Sequence, residues 1–133
     1  MDMNIQKKEF KYRGKTIEEL KAMDTREFAK LLPSKPRRFV LRNFQEIEKF
    51  VSRCKTKESK KKKIKTHKRD ITIVPQLIGM NLQVYNGRDF VALEVVGEML
   101  GHVLGEFAPT RARIQHSKAG VGATKGSKHK SKK

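Results

Sequence analysis

Tryptophan is absent, and cysteine occurs once, as Cys54. A single thiol excludes an internal disulfide and any cysteine cage for a metal, and it suits a reducing compartment. The four histidines, His67, His102, His116 and His129, are scattered singly and show no metal-ligand spacing. Cys54 has no matched histidine pattern, and neither familiar glycine-rich phosphate loop occurs. His102 and Glu106 stand one helical turn apart, a spacing that suits a surface contact better than an acid–base pair. The chain therefore predicts no catalytic site, no metal and no cofactor. No apolar run approaches the ~20 residues that span a bilayer. Met1-Asp2-Met3-Asn4 lacks the apolar segment of a secretory signal, so the expectation is an intracellular, soluble protein.

Acidic residues are also few, 14 against 32 Lys and Arg, which leaves a formal net charge of +18 on 133 residues. No carboxylate side chain follows Glu106. Apolar residues make up 36%, below the ~45–50% of ordinary globular domains. Part of the chain should therefore lie outside any core.

What remains has clear patterning. Thr16 with Glu19 forms a capping-box pattern, and Asp24 with Glu27 repeats it. Phe28, Leu31 and Leu32 continue the second helix until Pro33 stops it. Lys35-Pro36-Arg37-Arg38 reads as a basic connector. Asn43 reads as the cap of the next helix, in which Ile47, Phe50, Val51 and Cys54 fall on one face. Cys54 there is a small hydrophobe rather than a nucleophile. From residue 55 to 69 the chain is strongly basic, centred on Lys60, Lys61, Lys62 and Lys63. In isolation such a run is a solvated loop.

Ile71 and Ile73 then alternate with Thr72 as a first strand, which Pro75 ends. Leu82 and Val84 alternate in a second. Asn86-Gly87 predicts a type I′ hairpin into a return strand carrying Val91, Leu93 and Val95. Met99, Leu100, Val103, Leu104 and Phe107 predict a closing helix over 97–107. Gly97, Gly101 and Gly105 would let it lie close to the sheet, and Gly101 or Gly105 could supply a C-cap. Pro109 ends it. The fold class is α+β: a small three-stranded sheet with a packed short helix, N-terminal helices and a disordered basic C-terminal tail. The domain division is an N-terminal helical extension with basic loop at 1–65, an α+β body at 66–113 and a flexible tail at 114–133.

The charge points to a polyanionic partner, with nucleic acid first and an anionic membrane surface second. It sits on separate segments: Arg37 and Arg38, Lys60 to Lys63, Arg69, Arg88, Arg111 and Arg113, then Lys118 and Lys125 in the tail. A double-stranded DNA reader concentrates its contacts on one helix, and no helix here does so. The strands are expected to lack the paired aromatics of a single-strand reader. Dispersed charge suits a protein embedded in a large folded RNA, contacting phosphates and fixing shape. An architectural DNA-binding protein stays open as an alternative on composition.

Residues 66–113 resemble the small-subunit ribosomal protein nineteen family. The resemblance rests on Thr66, Arg69, Ile73, Pro75, Ile78-Gly79, Val84, Asn86-Gly87, Met99, Gly101-His102, Leu104-Gly105-Glu106-Phe107 and Thr110-Arg111, in that order. Tyr12-Arg13-Gly14-Lys15, Glu19-Leu20, Phe28, Leu32-Pro33, Thr66-His67 and Gly120-Val121-Gly122-Ala123-Thr124 resemble the archaeal and eukaryotic branch. The match is weakest over 39–59, where that branch shows Arg-Gly and this chain has Arg42-Asn43. The resemblance implies a structural protein of the small-subunit head in the cytoplasmic ribosome, bound to small-subunit ribosomal RNA. It implies ribosomal protein thirteen and other head proteins as neighbours, with the transfer-RNA path and the large-subunit bridge nearby. By matched position it implies that Arg69, Asn86, Gly87, His102, Thr110 and Arg111 lie near RNA. No membrane or DNA partner is expected from it.

Overall fold

A computed structural model describes residues 9–112 and, farther on, 120, 125 and 126. The expected disordered tail, including Arg113 and Lys118, lies otherwise outside the described residues.

A small ribbon opens the fold: β1 (Lys11–Tyr12) pairs antiparallel with β2 (Lys15–Thr16). Arg13 and Gly14 between them both have positive φ, 51° and 81°, the signature of a type I′ turn. Thr16 then caps α1 (Ile17–Ala22) through the expected reciprocal box. Glu19 N–H donates to Thr16 Oγ1 at 3.4 Å, and Thr16 N–H donates to Glu19 Oε2 at 3.1 Å. α2 (Thr25–Leu31) follows, but Asp24 takes only the cap's backbone conformation, and its side chain makes no capping bond.

The expected connector at 35–38 is instead the first turn of α3 (Ser34–Ser59). The first four N–H groups of a helix have no intrahelical partner, so Pro36 loses nothing there, and its fixed φ suits the turn. Asn43 does not start a helix either. It sits inside α3 at φ −116° and ψ 22°, and its Nδ2 donates to Phe39 O at 3.1 Å. A side chain that bonds back to the helix's own carbonyl goes with a kink rather than a cap. Beyond the kink, Ile47, Phe50, Val51 and Cys54 are buried as the spacing predicts.

α3 ends in a Schellman turn. Lys62 N–H donates to Lys57 O at 2.9 Å and Lys61 N–H to Glu58 O at 2.8 Å, with Lys61 at φ 50°. The chain leaves this turn along β3 (Ile64–Thr66), which pairs parallel with β4 (Asn81–Tyr85). β4 pairs antiparallel with β5 (Phe90–Glu94). The sheet order is β3-β4-β5. This sheet has three strands, as expected, but the first of them is 64–66 and not 71–73.

The reason is that Ile71, Thr72, Ile73 and Val74 are all buried, leaving no inside–outside alternation for a half-exposed strand. Their backbone pairs with the closing segment instead. Ile73 N–H donates to His102 O at 2.8 Å, Gly101 N–H to Ile73 O at 3.2 Å and Leu104 N–H to Ile71 O at 3.0 Å. This exchange also overturns the closing helix. Residues 97–107 form two 3₁₀ turns, Gly97–Met99 and Leu104–Phe107, separated by Gly101 at φ 81°. Three glycines make a poor helix, and the amides of residues 101 and 104 are spent outside the segment. The glycines do lie close to neighbours, but these are the N-terminal segments and Arg69 rather than the expected sheet. A Cβ on Gly97 would lie 2.7 Å from the Phe10 ring, and one on Gly101 would lie 2.9 Å from Leu32 Cδ2.

One apolar cluster unites these parts, from Leu20, Phe28 and Leu32 through Val40 and Ile47 to Leu82, Val84, Leu100 and Leu104. Arg26 lies over the Phe44 ring at 3.8 Å and clasps α2 to α3 across its rim.

Candidate nucleic-acid interface

Most of the predicted RNA-facing residues fall into three groups. The first is the 60–63 loop, whose four lysines are all exposed. The Schellman turn fixes the backbone there, so the charges project from a shaped corner.

The second group is the β4–β5 tip. The expected two-residue type I′ turn is a four-residue loop over 86–89, closed by the Tyr85↔Phe90 pair. Asn86 stays out of the left-handed region and works through its side chain. Its Oδ1 accepts from Arg88 N–H at 2.9 Å and Asp89 N–H at 2.8 Å. An Asx turn of this kind replaces the backbone-only turn that the Asn-Gly pair suggested. Gly87 has φ 99° and open space around it, so it is needed for conformation and not for closeness. The tip leaves Arg88 exposed.

The third group is the exit toward the C-terminus, where Thr110 and Arg111 are exposed. Arg69 joins it to the second. Its Nη1 donates to Tyr85 O at 2.6 Å, and its Nη2 donates to Gly105 O at 2.8 Å and Ala108 O at 2.6 Å. One guanidinium thus grips the base of the β4–β5 tip and the base of the exit. Its visible partners are backbone carbonyls, so it ties together the two segments that carry Arg88 and Arg111.

The remaining candidates are separate. Arg37 folds back onto the end of α2, donating to Lys30 O at 3.0 Å and to Leu32 O at 2.9 Å, while Arg38 is exposed. His102 is exposed and its Nδ1 lies 2.8 Å from Glu106 Oε2, a surface contact as the spacing suggested. Lys125 is exposed.

Two features escaped the sequence reading. A groove of about 400 Å³ between α3 and the chain beyond β3 is lined by Arg42, Glu46, Lys49, Arg53 and Lys68, among others. Glu46 is its only acid, and Lys68 engages it directly and holds its carboxyl below the usual range. The helical spacing of Arg42, Lys49 and Arg53, opposite the buried face, was the available signal. The second feature corrects the expectation that the strands carry no paired aromatics. Tyr85 and Phe90 are direct cross-strand partners, with ring centroids 5.2 Å apart. His67 joins them at 4.7 Å and 5.2 Å. A two-residue turn at Asn86-Gly87 would set Tyr85 opposite Arg88, so the expected register hid the Tyr85–Phe90 pair, and His67 reaches them only through the pairing of β3 with β4.

Among the described residues, no group of His, Cys, Asp and Glu could hold a metal ion. No helix among them is long and apolar enough to cross a membrane. Cys54 is buried, and burial pushes its thiol up to about 11, the opposite of what a nucleophile requires.

Residues 35–116 match the family model described as ribosomal protein S19. A small ribosomal subunit protein uS19 of Methanococcoides burtonii is 46% identical over 122 residues, covering 92% of this chain and 88% of that protein. A uS19 of Methanocella arvoryzae is 46% identical over 124 residues, covering 92% and 86%.

Proposed function

The chain belongs to the ribosomal protein S19 family, and from that premise we propose that it binds small-subunit ribosomal RNA in the head of the subunit. Its role is structural and non-enzymatic, within the small ribosomal subunit and so in translation. The observation that carries the RNA reading is the grip of Arg69 on both Tyr85 O and Ala108 O. It presents Arg88 and Arg111 from one rigid base, so two separate cationic segments can meet one phosphate-lined surface. The exposed lysines at 60–63 extend that surface to another side of the same body.

In this reading the division is functional. Residues 66–113 seat the protein, 1–65 widen the seat, and 114–133 add further cations. The neighbours are ribosomal protein thirteen and other head proteins, near the transfer-RNA path and the large-subunit bridge, in the cytoplasm. Arg69, Asn86 and Gly87 shape the contact, while Arg38, Lys60 to Lys63, Arg88, Thr110 and Arg111 make it.

Sedimentation of the tagged full chain from a cell extract tests the proposal. It should travel with small subunits, stay with them after DNase treatment and be released when RNase degrades the particle. Release by DNase alone would instead favour an architectural DNA-binding role.

A further inference from the structure

The three-stranded sheet has one covered and one uncovered face. Ile64, Thr66, Leu82, Val84 and Leu93 point inward and are buried. By the two-residue period of a strand, Lys65, Gln83, Tyr85, Phe90, Ala92 and Glu94 point the other way. None of these six is buried, and His67, just past β3, is exposed beside them. The face is polar at one end and aromatic at the other. At the aromatic end the rings of His67, Tyr85 and Phe90 lie within 5.2 Å of one another, and Lys65 Nζ lies 5.1 Å from the Phe90 centroid. Glu94, the only carboxylate on the three strands, pairs with Asn81 at the opposite end.

We propose that the aromatic end of this face, His67, Tyr85 and Phe90 with Lys65, is a stacking site for an unpaired RNA base. The inference deepens the RNA-binding reading and rests on it. Phosphate contacts alone would favour any RNA. A ring cluster on an open sheet offers a π-face to a base splayed out of its helix, with a cation within reach of the adjoining phosphate. A cluster that served only the fold would contribute cross-strand contacts just as well beneath a cover. This one has no covering element among the described residues and sits in a positively charged neighbourhood, which favours a nucleotide over an apolar protein segment.

The test uses the full chain and two probes, a single-stranded oligoadenylate carrying one 2-aminopurine and an RNA duplex of equal length. The single strand should bind the parent with quenched 2-aminopurine fluorescence. The double variant His67→Ala/Phe90→Leu should lose the quench and bind the single strand roughly tenfold more weakly, because stacking contributes on the order of 1–3 kcal/mol per base. Duplex affinity should be unchanged. Retained quench and affinity in the double variant would overturn the inference and leave the face to a protein neighbour. If the double variant fails to fold, Phe90→Trp decides: a larger ring should keep or deepen the quench, and a weaker quench would overturn the site. A parent that binds neither probe would count against the RNA-binding reading itself, whereas one that binds the duplex without quenching the single strand would overturn only the stacking site.

Discussion

Arg69 and Gly105 bond to each other in both directions. Gly105 N–H donates to Arg69 O at 2.8 Å, and Arg69 Nη2 donates to Gly105 O at 2.8 Å. A Cβ on Gly105 would stand 3.0 Å from both Arg69 Cβ and Arg69 O, so a larger residue at this place would press on Arg69 and push it by a few tenths of an ångström. The same guanidinium reaches Tyr85 O and Ala108 O, which makes the pair the joint between sheet, closing turns and C-terminal exit.

Arg69→Lys should therefore lower stability by about 2 kcal/mol, because a single ammonium cannot reproduce a fork that serves separate carbonyls, and hydrogen bonds to charged donors are worth about 1.5–3 kcal/mol. Arg88→Lys, on the exposed tip, should stay within about 0.5 kcal/mol of the parent. Urea midpoints of the two variants, read side by side, check this. Equal small effects would mean that the Arg69 grip contributes little.

Two left-handed residues should respond differently to substitution. Lys61 pays for φ 50° with a Cβ, whereas Gly101 at φ 81° has none and sits close to Leu32. Lys61→Gly should stabilise the chain, or at worst leave it unchanged, since relief of about 1 kcal/mol of strain is opposed by glycine's greater freedom in the unfolded state. Gly101→Ala should destabilise it by about 2 kcal/mol, through strain and the clash together. Thermal unfolding of both variants should show shifts of opposite sign, or a shift for Gly101→Ala alone.

How much of this was legible in the sequence depends on how local the cause is. The Thr16–Glu19 box and the Ile47, Phe50, Val51 and Cys54 stripe lie within one or two turns of chain, and both were readable. The joint was not. Residues 71–73 look like a strand and 97–107 like a helix until their backbones meet, because each satisfies the other's amides across a long separation. The type I′ turn was expected at Asn86-Gly87 and occurs at Arg13-Gly14, because the Asn86 side chain offers its loop a better acceptor. Of the interface, exposed Arg88 and Arg111 were named from charge and motif. The role of Arg69 as their common base, and the meeting of His67 with Tyr85 and Phe90, needed the fold.

Cys54 predicts a pH effect. The unfolded chain releases the thiol proton near 9.0, while the folded chain holds it up to about 11. Between those values the unfolded state binds fewer protons, so stability falls as pH rises through that window. Cys54→Val should show a shallower fall over the same range than the parent. Alkylation of native Cys54 at pH 8 should be slow and should accelerate in urea. Fast labelling of the folded chain would contradict the burial argument.

Salt dependence separates the cations that touch phosphate from those that hold the fold. Each neutralised phosphate contributes roughly −0.7 to −0.9 to the slope of log affinity against log salt. Arg88→Ala and Arg111→Ala should each make the slope shallower by about 1. Arg69→Met, which removes the charge as the alanine variants do, should leave the slope of the folded chain nearly unchanged while lowering stability. A slope that responds to Arg69 as it does to Arg88 would place the Arg69 guanidinium on RNA directly.

The β4–β5 tip, the exit and the 60–63 loop should all face RNA within the small subunit. Ultraviolet cross-linking of intact small subunits, with mass spectrometry of the peptide–nucleotide adducts, reads this contact. Nucleotide adducts are expected on peptides containing residues 60–63, 86–88 and 110–111. Good coverage of those peptides without a single adduct, while other proteins of the same particle are cross-linked, would contradict it.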